Sequence, residues 1–141
     1  MNINTPILTD IRVIIANSRE KAIRQVDHER TLMYWRIGQR IFEEEQEGKD
    51  RAGYGKYLTK YIAENLELEY GSGFSRRQIE ISRQFYRTFP IANTLYSQFS
   101  WSQYKVNLRL DSPEKRQFYI AETVKNNWTV RQLERQIHSN L

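Results

Sequence analysis

"GSGFSRRQIEISRQFYRTF", residues 71–89, holds a glycine-marked turn, a serine, two adjacent arginines and then a helical pattern. Ser75 has the chemistry of a helix N-cap, able to accept a hydrogen bond from the backbone N–H of Gln78. Phe74, Ile81, Phe85 and Phe89 recur on one side with the 3.6-residue period, and Arg76, Glu80, Arg83 and Arg87 fall opposite. Upstream, Leu58, Ile62 and Leu66, with Tyr61 and Leu68 beside them, predict a helix from about Tyr54 to Tyr70 that Gly71 closes in a left-handed conformation. Two helices joined by a short glycine turn outline a helix-turn-helix over 54–89. In that arrangement the first residues of the second helix, here Arg76, Arg77 and Gln78, meet base edges in the major groove.

Further upstream, Ile7, Ile11, Ile14, Ala22, Val26, Met33, Ile37 and Ile41 recur at steps of three and four or their sums, an amphipathic helical pattern from about 7 to 46. Arg19, Glu20, Arg24, Asp27, Arg30 and Glu43 occupy its polar side. Such a helix is roughly 60 Å long at ~1.5 Å per residue, more than one small core can cover. Either it breaks near Asn17-Ser18 or part of its stripe packs on a second chain, and the second chain is the favoured reading. Ile7, Ile11 and Ile14 are then interface residues, and Tyr34, Trp35 and Trp128 serve as aromatic anchors of core or interface.

"EGKDRAGYG", 47–55, is a loop by its glycines. After Pro90 the signals remain helical. Ser100 can cap one helix, Ser112 followed by Pro113 and Glu114 starts another, and Thr129 with Gln132 starts a last one through Leu133 and Ile137, so 100–141 reads as C-terminal helices. No stretch alternates with period two for the length of a strand. The expected fold is all-α: one domain, a helical bundle with a long N-terminal helix and a helix-turn-helix-like, winged-helix-related core.

The chain has 141 residues, 22 Lys and Arg against 17 Asp and Glu, and a net charge of +5. That balance favours a polyanionic partner. The absence of cysteine excludes disulfides, thiol catalysis and cysteine-ligated zinc, and fits a cytoplasmic protein. Asp10 and Arg12 interrupt the first apolar stretch, against a signal peptide, and no run reaches the ~18 apolar residues of a membrane span.

No catalytic residue, metal site or cofactor is expected. His28 and His138 are far apart and lack metal-ligand spacing, and the adjacent carboxylates of "EEEQE", 43–47, point in different directions around a helix. "EGK", 47–49, superficially matches the Glu-x-Lys of metal-dependent nucleases but has no buried strand to place it. The arginine row therefore carries the functional question. Arginine can grip guanine O6 and N7, glutamine can pair with adenine, and further arginines can neutralise phosphates. The alternative is a solvated face on which Arg76, Glu80 and Arg83 pair along the helix.

Taken together, "YWRIGQRI" (34–41), "AGYGKYL" (52–58), "GSGFSRRQIEISRQFYRTFP" (71–90), "SWSQYKVNLRL" (100–110) and "FYIAETVKNNWTVRQLERQI" (118–137) resemble the N-terminal domain of the YhcG-like PD-(D/E)XK nuclease family. The resemblance runs from about Ile7 to Leu141. It implies a helical domain, helix-turn-helix or winged-helix-like, that precedes a C-terminal nuclease domain absent from this chain. Gly73, Phe74, Ser75, Arg76 and Arg77 would fall on the turn and recognition helix, with Trp128 and Arg131 on the joint toward the nuclease. Members of the family usually carry a small polar residue or Asn at the position of Gln78, which leaves the base preference open. The expected function is DNA binding or targeting without catalysis, through Ser75, Arg76, Arg77, Gln78, Arg83 and Arg87, in a homodimer paired through the long helix. The second reading is a protein-interaction or oligomerisation module that docks a nuclease domain or another partner.

Overall fold

The computed structural model describes residues 5–48 and 53–140. The order is α1 (Thr5–Glu47), α2 (Tyr54–Tyr70), a 3-10 turn (Ser72–Phe74), α3 (Arg76–Thr88), a second 3-10 turn (Ala92–Thr94), α4 (Trp101–Asn107), α5 (Pro113–Asn126) and α6 (Val130–Ser139). Among the described residues there is no strand, so the fold is all-α and no β-wing follows α2 and α3. The loop expected at 47–55 falls between α1 and α2, with residues 49–52, Lys49 among them, outside the described residues.

The caps explain the boundaries. Ser75 Oγ accepts from Gln78 N at 3.3 Å, and Ser112 Oγ accepts from Lys115 N at 3.1 Å with Pro113 opening the helix. Ser100 with Gln103, and Thr129 with Gln132, form reciprocal capping boxes, each satisfying two backbone donors that the first turn leaves free. Gly71 donates to Glu67 O at 2.8 Å but has φ +97 and ψ −168 rather than the left-handed helical values expected. That region is open essentially to glycine alone.

Helix α1 does not break at Asn17-Ser18, and its two halves bury nothing in common. With an advance of about 100° per residue, Thr31, Tyr34, Trp35, Gly38 and Ile41 share one side of the helix, while Ile7, Leu8, Ile11, Ile14, Ile15, Ala22 and Val26 lie roughly 170° away. The first set is buried and the second exposed. The single stripe inferred from sequence is thus two stripes on opposite sides. Met33 is exposed, and Asp27, expected on the polar side, turns toward the domain, where its Oδ2 accepts from the Trp101 backbone N–H at 3.0 Å.

The core is aromatic. Tyr34 and Trp35, expected as anchors of core or interface, are 2% and 6% exposed within the chain's own core, so they are not free to meet a second chain. Tyr34 stacks on Trp101 at 4.5 Å and donates to the carbonyl of Gly73 at 2.8 Å, and Trp35 donates from Nε1 to the carbonyl of Phe89 at 2.6 Å. Phe85, Phe99, Trp101 and Tyr104 are fully enclosed. Burial of side chains this size contributes about 1.5–3 kcal/mol each. Helix α3 packs chiefly on α1, then on α2. Its buried residues are Ile79, Ser82 and Phe85, with Ile81 half-buried, and the flanking Phe89 and Phe74 are buried and half-buried. In α2 the buried residues are Leu58, Thr59 and Ala63, while Tyr61 and Leu68 are exposed because the short Thr59 and Ala63 side chains bring that face against α3.

Candidate nucleic-acid interface

The arginines of α3 do not form one free row. Arg76 Nε lies 3.1 Å from Glu80 Oε1 within the helix. Arg83 and Arg87 converge on Glu45 near the end of α1, at 3.6 and 3.0 Å, and Arg83 also donates to the carbonyl of Gly55 at 3.4 Å. The Glu45 and Arg83 side chains are only 12% and 20% exposed. This cluster ties α3 to the junction of α1 and α2. Three of the four arginines singled out on this helix therefore face carboxylates of their own chain.

Arg77 differs. It is exposed and has no ion pair among the described residues. It borders a groove of about 470 Å³ between α3, α4 and α6, together with Gln78, Gln84, Ser102, Lys105 and Arg109. Ser102 and Lys105 lie on α4, and Arg109 follows its end. Lys105 has its pKa lowered, first by burial and then by the cations of Arg30, Arg77 and Arg109. Its ammonium lies 5.8 Å from the centre of the Trp101 ring, and the Arg30 guanidinium lies 5.9 Å from that of Tyr34, the ring stacked on Trp101. Lys105 and Arg30 thus cover one aromatic pair, and Arg77 and Arg109 lie close enough to Lys105 to act on it. One carboxylate, Glu134, borders the groove without an ion pair to any of them among the described residues.

Folding positions each member. Arg77 follows the Ser75 cap and Lys105 lies one turn beyond the Ser100 capping box. Gln84 Nε2 donates to the carbonyl of Leu108 at 3.2 Å, holding the end of α4 against α3. The Gln78 amide oxygen is enclosed and unpaired, and the Ser75 hydroxyl is engaged by its own helix. Such a surface can take an extended anion through four donors while Gln78 stands at its edge. Trp128 is half-buried, its carbonyl accepting from Gln103 Nε2 at 2.7 Å, and Arg131 is exposed.

The expected residues thus separate. Arg77 and Gln78 lie in the groove, Arg76 stands outside it paired to Glu80, and Arg83 and Arg87 form the Glu45 cluster. Sequence reasoning missed Arg30, Lys105 and Arg109. They come from separate elements, and no local period links them. The groups of three or more His, Cys, Asp or Glu side chains that would suit a metal ion do not occur among the described residues.

Residues 10–141 match the DUF1016 N-terminal domain. The chain is also 32% identical over 156 aligned positions to "Putative nuclease YhcG" of Escherichia coli (strain K12), an alignment covering 88% of this chain and 42% of that protein. The chain therefore spans well under half the length of this relative. No solved structure matches it. The segments that resemble the YhcG-like N-terminal domain and the match over residues 10–141 agree, and the chain belongs to the DUF1016 N-terminal domain family.

Proposed function

We propose that the chain is a DNA-targeting domain of a nuclease-related protein, without catalysis of its own, and that it holds the phosphate backbone in the groove bordered by Arg77, Lys105 and Arg109, with Arg30 beside it. The observation that carries this reading is that Arg77, Lys105 and Arg109 border one open groove, with Arg30 acting on the same Lys105, and none of the four forms an ion pair among the described residues although Glu134 lines the groove too. A structural surface ordinarily relieves such repulsion with interspersed acids, as α3 does with Glu45 and Glu80. Like charges left together cost stability in the free chain, and a polyanion removes that cost on binding. Base contact by Arg76 would require it to leave Glu80, and by Gln78 to turn its enclosed amide oxygen outward, so the backbone contacts carry this reading. Arg83 and Arg87 serve the α1–α3 junction.

The relative named as a nuclease has more than half of its length outside the match, where the chemistry that its name implies has room to reside. The test is binding of a labelled DNA duplex, followed by fluorescence anisotropy. Arg77→Ala with Lys105→Ala should weaken binding at least about tenfold, in line with two lost phosphate contacts. Arg83→Ala should change affinity little in chains that remain folded. Equal binding by the double variant, or no binding by the unaltered chain at low salt, would overturn the proposal.

A further inference from the structure

We infer that the first half of α1 is the contact surface for a second copy of this chain, which pairs with it antiparallel over about residues 7–26. Every residue from 6 to 26 is exposed, and Ile7, Leu8, Ile11, Ile14, Ile15 and Val26 on the outward stripe are between 44% and 72% exposed. Most helical stability in proteins comes from packing an apolar face, and this half of α1 packs none against its own domain. These side chains offer on the order of 600 Å² per chain, before flanking polar atoms are counted, against roughly 800 Å² per partner in a standard interface. The stripe turns away from the chain's own core, so the domain cannot fold back over it.

What lies further along that same side decides the occupant's direction. Beyond Val26 it carries Glu29, Arg36, Arg40, Glu43 and Glu47, all exposed and interrupted only by Met33. A parallel partner would continue along this charged surface and set Arg36 and Arg40 against their own copies. An antiparallel partner overlaps only the apolar half. Laying Ile7 and Ile11 beside Val26 and Ala22 of the second copy also brings Asp10 near Lys21 of the second copy, twice by symmetry. Arg12 and Arg19 fall on the other edge and face like charges, so salt weakens one edge while relieving the other.

The experiment is the oligomeric state of the full chain by light scattering on a sizing column across a concentration series. Ile11→Glu with Ile15→Glu should raise the dimer dissociation constant at least about 100-fold. Neither residue touches the core, so cooperative unfolding of the monomer, with whatever helicity residues 6–26 lose set aside, confirms that the variant's aromatic core folds. Ile23→Glu is the control, since Ile23 is 71% exposed but lies off the stripe, and it should leave the dimer intact. The chain has no cysteine, which makes direction readable by oxidation. A mixture of Ile7→Cys and Val26→Cys chains should cross-link, and either alone should not. A monomeric unaltered chain, a dimer indifferent to Ile11→Glu with Ile15→Glu, equal loss with Ile23→Glu, or self-cross-linking by Ile7→Cys would each overturn the inference.

Discussion

Gly38 on α1 lies so close to Ser82 on α3 that a Cβ added there would stand 2.1 Å from the Ser82 carbonyl oxygen. The obstacle is backbone, which cannot turn aside as a side chain can. Gly38→Ala gains up to about 1 kcal/mol of helix propensity but must push the two helices apart. A net loss of about 2 kcal/mol, lowering Tm by roughly 6–10 °C, is expected. Thermal unfolding followed by circular dichroism checks it, and a Tm equal to the unaltered chain's would show that the helices separate at no cost.

Glu45 holds Arg83 and Arg87 together. Glu45→Gln removes the charge while keeping the shape, and stability should fall by about 1 kcal/mol, since the cluster is only partly shielded from water. Affinity for duplex DNA should hold or rise, because two cations are released. A drop in affinity with the fold intact would mean that the cluster itself presents the contact surface.

Lys105 lies among Arg30, Arg77 and Arg109, with its pKa lowered by burial first and by those cations next. A lysine whose folded pKa is depressed opposes folding while it is protonated, so Lys105→Met should leave Tm unchanged or raise it at neutral pH. DNA affinity should fall at the same time. Opposite changes in stability and binding mark a group kept for its ligand, and loss of both would assign Lys105 to the core.

Burial pushes the Tyr104 phenol up to about 12 from its ordinary 10.0, against the hydrogen bond it accepts from the Tyr96 backbone N–H at 2.9 Å. The folded chain then keeps this proton where the unfolded chain has lost it. The stability it contributes is complete below pH 10 and disappears as pH rises toward 12, a loss of about 2–3 kcal/mol across that window. Urea midpoints measured from pH 8 to 12 should show this fall relative to Tyr104→Phe, and parallel profiles would contradict it.

Signals confined to a few residues were legible in the sequence. Ser75, Ser100, Ser112 and Thr129 announce their helices because a cap and its target lie within three residues. The bounds of α2, Tyr54 to Tyr70, are equally local, set between glycines. Facing was less legible. The drift of α1's apolar positions from Ile7 to Ile41 reads as one stripe, and only the docking of Gly38 against α3 shows that the core takes the other side. The candidate site was hidden for a related reason. Glu45 is 42 residues from Arg87, so nothing local shows that the arginine row is neutralised, and Arg30 and Lys105 meet Arg77 only through the fold.

The salt dependence of duplex DNA binding tests the central claim most directly. Four phosphate contacts predict a slope of log affinity against log salt of about −3.6, since each neutralised phosphate contributes about −0.9 on B-DNA. Arg77→Ala with Lys105→Ala should flatten the slope by about 2 units, while Glu45→Gln leaves it unchanged or steepens it. A slope near zero for the unaltered chain, or one that the double variant leaves intact, would contradict the account.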